Sequence, residues 1–152
     1  MSDVPILKDT DRSTGRGALQ KNIQAALALA GAVRSTLGPR GLDKLLIDDD
    51  GRTMVTNDGV TVLESAKVEH PVAKMIINAS SVQDKIARDG TTSTVLICAE
   101  MLQNAWHLVT QGVHPATIAR GFRMAEEHAR SELNALSFAS ERSHQLLATK
   151  TC

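Results

Sequence analysis

Apolar residues recur at three- and four-residue steps along most of this chain, and each run is cut short by glycine or proline. No other feature constrains the fold as strongly. A repeat near 3.6 buries one stripe of a helix and cannot line one face of a strand. Leu19, Ile23, Ala26, Ala30, Val33 and Leu37 form the first run, ended by Gly38-Pro39, and its small residues leave a narrow face suited to close packing. His70-Pro71 opens a second helix with Val72, Met75, Ile76, Ala79, Val82 and Ile86 on one face. A third starts at Asp89 and turns Val95, Ala99, Leu102, Trp106 and Val109 inward before Gly112 closes it. His114-Pro115 begins a fourth, with Ile118, Phe122, Ala125, Ala129, Leu133 and Leu136. A shorter helix over 58–66 takes Asp58 as its cap, and a last one is expected over 140–149.

Strand signals occur at one place. Leu45-Leu46-Ile47 and Thr53-Met54-Val55-Thr56 flank Asp48-Asp49-Asp50-Gly51-Arg52, whose Asp-Gly step favours a reversal. A two-stranded ribbon is marginal alone and exposes both edges, so it calls for neighbours. The expected fold is mainly α, a bundle of long helices with one β-hairpin. Residues 1–14 mix Pro, Asp, Arg, Ser and Thr without period and read as a flexible N-terminal arm.

Composition narrows the function classes. With 152 residues, 42% hydrophobic and 22% charged, the length suits one globular domain. Lys+Arg 17 against Asp+Glu 17 leaves net charge +0, and aromatics are 2%, which argues against a nucleic-acid partner or an anionic membrane surface. The longest apolar run, 25–33, falls far short of the ~20 residues a membrane span needs. The start, Met1-Ser2-Asp3-Val4-Pro5, lacks a signal peptide's pattern, so a cytoplasmic location is expected and the Asn78-Ala79-Ser80 sequon is idle. Cys98 and Cys152 form neither a disulfide framework nor a metal spacing. The histidines, at 70, 107, 114, 128 and 144, read as surface or cap residues.

Three punctuated turns carry the chemistry. Asp89-Gly90-Thr91-Thr92-Ser93 puts a carboxylate, a glycine and three hydroxyls at the start of a strongly periodic helix. Phosphate oxygens would accept from the N–H groups of Gly90, Thr91, Thr92 and Ser93, while Asp89 held Mg²⁺. The same residues also suit a plain helix cap. Thr36-Leu37-Gly38-Pro39-Arg40-Gly41 is a rigid turn whose N–H groups suit phosphates, or simply a helix stop. Asn57-Asp58-Gly59 reads as a capped tight turn, and Asp58 gains a role if it faces Asp89 across a metal and a phosphate. No GxxxxGK[ST], GxSxG or HExxH pattern is present.

Taken in order, Thr36-Leu37-Gly38-Pro39-Arg40-Gly41-Leu42-Asp43-Lys44, Thr56-Asn57-Asp58-Gly59-Val60-Thr61-Val62-Leu63, His70-Pro71-Val72-Ala73-Lys74 and Asp89-Gly90-Thr91-Thr92 resemble the chaperonin family, in its thermosome and eukaryotic cytosolic form. The resemblance implies the N-terminal half of an equatorial, ATP-binding domain over 15–139 and the start of an intermediate-domain segment over 140–152. It further implies an ATP-driven protein-folding ring with ATP/ADP and Mg²⁺ as cofactors. Thr36, Leu37, Gly38 and Pro39 would contact nucleotide, and Gly90, Thr91, Thr92 and Ser93 its phosphates. Asp89 would hold Mg²⁺, and Asp58 would assist catalysis near the attacking water. Partners would be other chaperonin subunits, met partly through the hairpin, and unfolded client proteins held by domains this chain lacks, as it also lacks the hinge aspartate that activates water. Arg88 stands where family members usually have glycine. The alternative from a different class is a non-catalytic module that associates with chaperonin subunits through its hairpin and helices.

Overall fold

The computed structural model describes residues 13–66 and 68–137. They form two compact units that meet in sequence at Thr110 and Gln111. The first holds α1 (Gly15–Val33), a 3-10 turn η1 (Arg34–Thr36), β1 (Lys44–Ile47), β2 (Thr53–Thr56), α2 (Gly59–Ser65), α3 (Pro71–Ala87) and α4 (Thr91–Thr110). The second holds α5 (Pro115–Leu136). The mainly helical bundle with one hairpin is what the periodicity requires. The expected helix over 140–149 and most of the N-terminal arm lie outside the described residues.

In the first unit α1, α2, α3 and α4 surround one core of Ala26, Leu29, Ala30, Val33, Val62, Leu63, Ala73, Ile76, Val95, Leu96 and Ala99. Alanines at 26, 30 and 99 let α1 and α4 approach closely, and Leu63 and Val95 fill the centre. Arg16 lies over the Trp106 ring, 5.6 Å from its centroid, while Arg34 pairs with Glu100 at 2.5 Å. As α1 advances its partners on α4 recede, so the two helices are antiparallel. The turn after α1 therefore lies toward the N-terminal end of α4.

Three helices differ from the periodic reading. On α3 the inward residues are Ala73, Ile76 and Ser80, with Val72 and Ile77 packed beside them, whereas Met75, Val82 and Ile86 are 69%, 51% and 79% exposed. This helix is apolar on more than one side, and its neighbours α1, α2 and α4 cover only one of them. Leu37 was expected on the α1 stripe and is exposed, because α1 ends at Val33 and tightens into η1 ahead of Gly38. On α5 only Ile118 is buried, and Leu133 and Leu136 are exposed.

The hairpin pairs Leu45 with Val55 and Leu46 with Met54 in antiparallel register. Gly51 supplies the positive φ of its reversal, where its N–H donates to the Asp48 carbonyl at 3.1 Å. Leu46 packs on the core, while Leu45, Ile47 and Val55 remain exposed. Both helices opened by His-Pro use the imidazole as cap: the N–H of Val72 donates to His70 Nδ1, and that of Ala116 to His114 Nδ1. Among the described residues no helix is long and apolar enough to cross a membrane.

Candidate functional site

Asp58 is the N-cap of α2. Its Oδ2 accepts from the Thr61 N–H at 3.0 Å and the Thr61 hydroxyl at 2.5 Å. The Thr61 hydroxyl is the main reason its carboxyl lies below the usual carboxylate range, helped by the N–H groups of Thr61 and Val60 and opposed by partial desolvation. Asp58 is thus an anion at neutral pH, with one oxygen committed to the cap.

Gly59, directly after it, has an ordinary helical φ, so its glycine is not there for a left-handed turn. The reason is proximity. A Cβ at this position would overlap Thr92 Oγ1 and lie 3.3 Å from Thr92 Cβ and 3.4 Å from Thr91 Oγ1. The first turn of α2 is therefore pressed against the first turn of α4, and two helix N-termini converge.

The start of α4 is held from below by α3. The buried Ser80 hydroxyl donates to the Thr91 carbonyl at 3.1 Å, and Gln83 Nε2 donates to the Asp89 carbonyl at 3.2 Å. Gly90 takes φ +76, its N–H donates to Asp89 Oδ1 at 2.6 Å, and the Thr94 N–H and hydroxyl both bond the Gly90 carbonyl at 2.9 Å. The helix begins at Thr91, two residues later than expected, because Asp89 and Gly90 form the connecting turn. Thr91 and Thr92 are buried, Gly90 and Ser93 half-buried and Asp89 exposed. Arg88 caps α3 at φ 53, the one non-glycine residue with positive φ among those described.

The 36–41 turn is self-contained. Thr36 Oγ1 donates to the Val33 carbonyl at 2.8 Å, the Gly41 N–H to the Gly38 carbonyl at 2.9 Å, and the Leu42 N–H to the Ser35 carbonyl at 2.7 Å. Gly38 needs its φ of +85, and a Cβ on Gly41 would sit 2.8 Å from the Thr36 carbonyl carbon. Leu37, Gly38 and Pro39 are exposed at the turn. These bonds keep the turn within 33–42, whereas α2 and α4 touch directly.

Among the described residues no group of three or more His, Cys, Asp or Glu converges. A divalent cation at Asp89 would need phosphate oxygens and water to complete its shell, which is how Mg²⁺ is usually held. The residues suit that role: an exposed carboxylate, glycines that keep backbone open, and helix N-termini that favour anions. Ser80 and Gln83 escaped sequence reasoning, since a serine and a glutamine within a helix carry no motif.

The model of the TCP-1/cpn60 chaperonin family matches residues 29–151, and the chain belongs to that family. It is 48% identical to thermosome subunit beta of Thermoplasma acidophilum, over 87% of this chain and 24% of that protein. It is 51% identical to thermosome subunit alpha of Archaeoglobus fulgidus, over 83% of this chain and 23% of that protein. Among solved structures, a group III chaperonin in the open state superposes with TM-score 0.69 at 36% identity, covering 74% of this chain and 23% of that one. The chain spans about a quarter of the length of the relatives it matches.

Proposed function

We propose that this chain is the Mg-ATP-binding part of a chaperonin subunit, acting in the cytoplasm in ring assemblies of chaperonin subunits that fold unfolded client proteins. The observation that carries the reading is the convergence of the α2 and α4 N-termini at Gly59 and Thr92, with Asp58 and Asp89 at their two ends. Backbone N–H groups of Thr91, Thr92 and Ser93 would donate to phosphate oxygens, joined by that of Gly90 once Asp89 Oδ1, its acceptor in this structure, turned to the metal, and Thr36, Leu37, Gly38 and Pro39 would line the rest of the nucleotide. Asp89 would hold Mg²⁺. When bound, Mg-ATP would supply the hydrolysable bond and the charge neutralisation for its cleavage. Asp58 would orient water; with its carboxyl held low by Thr61 it is a weak proton acceptor, so its contribution is placement more than general-base catalysis. Calorimetric titration of MgATP into this chain and into Asp89→Ala tests the reading. Saturable binding lost in the variant supports it, and absence of binding in both overturns it.

The exposed apolar hairpin face of Leu45, Ile47 and Val55 favours a second reading, a non-catalytic module that docks on chaperonin subunits through the ribbon. Failure to co-migrate with full-length subunits in size exclusion would sink it.

A further inference from the structure

We infer that Ser80 and Gln83 of α3 are positioning residues for the proposed phosphate turn, setting where Asp89 places its metal. The inference rests on the Mg-ATP reading above and extends it to residues that touch no ligand. The two side chains stand three apart on α3, so they share a face, and that face is turned toward the segment joining α3 to α4. Each donates to a backbone carbonyl there: Ser80 Oγ to Thr91, and Gln83 Nε2 to Asp89.

Their placement has a specific consequence. Asp89 lies between the left-handed Arg88 and Gly90, whose carbonyl accepts the first bond of α4 from the Thr94 N–H. A glycine hinge beside an exposed aspartate has wide freedom unless the peptides on either side are held. Gln83 holds the peptide after Asp89, and Ser80, itself 1% exposed, holds the one after Thr91. Gln83 Nε2 also lies 3.5 Å from the place where a Cβ on Gly90 would stand, so it packs on the hinge as well as bonding to it. With these carbonyls engaged by α3, the peptide planes of the turn are fixed, and so are the directions of the N–H groups that would face phosphate.

The test is calorimetric titration of MgATP, and of ATP with Mg²⁺ chelated, into the unmodified chain, Gln83→Met, Ser80→Ala and Asp89→Ala, with urea unfolding of each. Gln83→Met keeps the side chain's length and removes its donor. Loss of one such bond should weaken MgATP about fivefold, with a smaller effect on chelated ATP because the metal-bearing aspartate is what has been loosened. Gln83→Glu, which keeps the length but offers no donor, should not restore affinity. If MgATP binds the unmodified chain and is lost in Asp89→Ala, yet is unchanged in both Gln83→Met and Ser80→Ala, the positioning role is overturned while the Mg-ATP reading stands. If Ser80→Ala and Gln83→Met lower the urea midpoint without moving affinity, their role is structural and the inference fails. Absence of binding by the unmodified chain overturns both.

Discussion

Two single residues have consequences that their neighbours do not. Arg88 holds φ 53 at the end of α3, a conformation that costs a residue bearing Cβ on the order of 1 kcal/mol and glycine little. Arg88→Gly is expected to raise unfolding stability by about 1 kcal/mol, read from the urea midpoint. Bulk at this position is thus a matter of backbone strain at the α3 end as well as of charge beside Asp89. Asp58 is expected to behave in the opposite sense. Its cap is worth about 1 kcal/mol near neutral pH, so Asp58→Ala should lower stability by that amount. Because the folded carboxyl is held low by Thr61, the contribution is complete above the ordinary carboxylate value and is lost as pH falls through the lowered one. Urea unfolding at pH 7 and again near pH 3 should show the gap between variant and parent narrowing in acid. Cys98 belongs to the same scale: burial pushes its thiol up, leaving it slow toward alkylating reagents at neutral pH.

Between elements, the contact of α2 with α4 decides whether the candidate site exists. Gly59→Ala forces the Thr92 hydroxyl to swing away or α2 to lift, and overpacking of this kind costs about 1–3 kcal/mol. Combining it with Thr92→Ala, which removes the overlapping oxygen, should cost less than the sum of the two single changes, measured as a double-mutant cycle in urea. A purely local effect at Gly59 would give additive values instead. Asp58, His70 and His114 were legible as starts of helices because capping and an N1 proline are local chemistry. The inward face of α3 was legible only in part, through Val72 and Ile76. Met75, Val82 and Ile86 obey the period as well as Ala73, Ile76 and Ile77 do, and only the positions of α1, α2 and α4 select between the two stripes. The capped turn at Asn57-Asp58-Gly59 is local chemistry, but its glycine serves a close approach from Thr92 on α4, which no local pattern signals.

For the whole molecule, stability of the first unit resides in a core small enough that single losses matter. Leu63 lies at its centre, and Leu63→Ala is expected to destabilise by about 3 kcal/mol, within the range for buried leucines; equilibrium urea unfolding gives the value. Apolar surface remains outside that core, on α3 at Met75, Val82 and Ile86 and on the hairpin at Leu45, Ile47 and Val55. Exposed apolar stripes of this kind drive association, so sedimentation should show concentration-dependent self-association, reduced by Val82→Lys with Ile86→Lys. A monomer at all concentrations would contradict this.

The sequence alone determined the helical class, the single hairpin, the caps and the three candidate turns, because each depends on dihedral preferences and hydrogen bonds within a few residues. It also carried the family through the order and spacing of those turns. Which apolar stripe of α3 is buried, that α2 and α4 meet at Gly59 and Thr92, and that Ser80 and Gln83 hold the turn before α4 were decided by tertiary structure alone. Those choices depend on contacts between elements, and a local period is equally well satisfied by several of them.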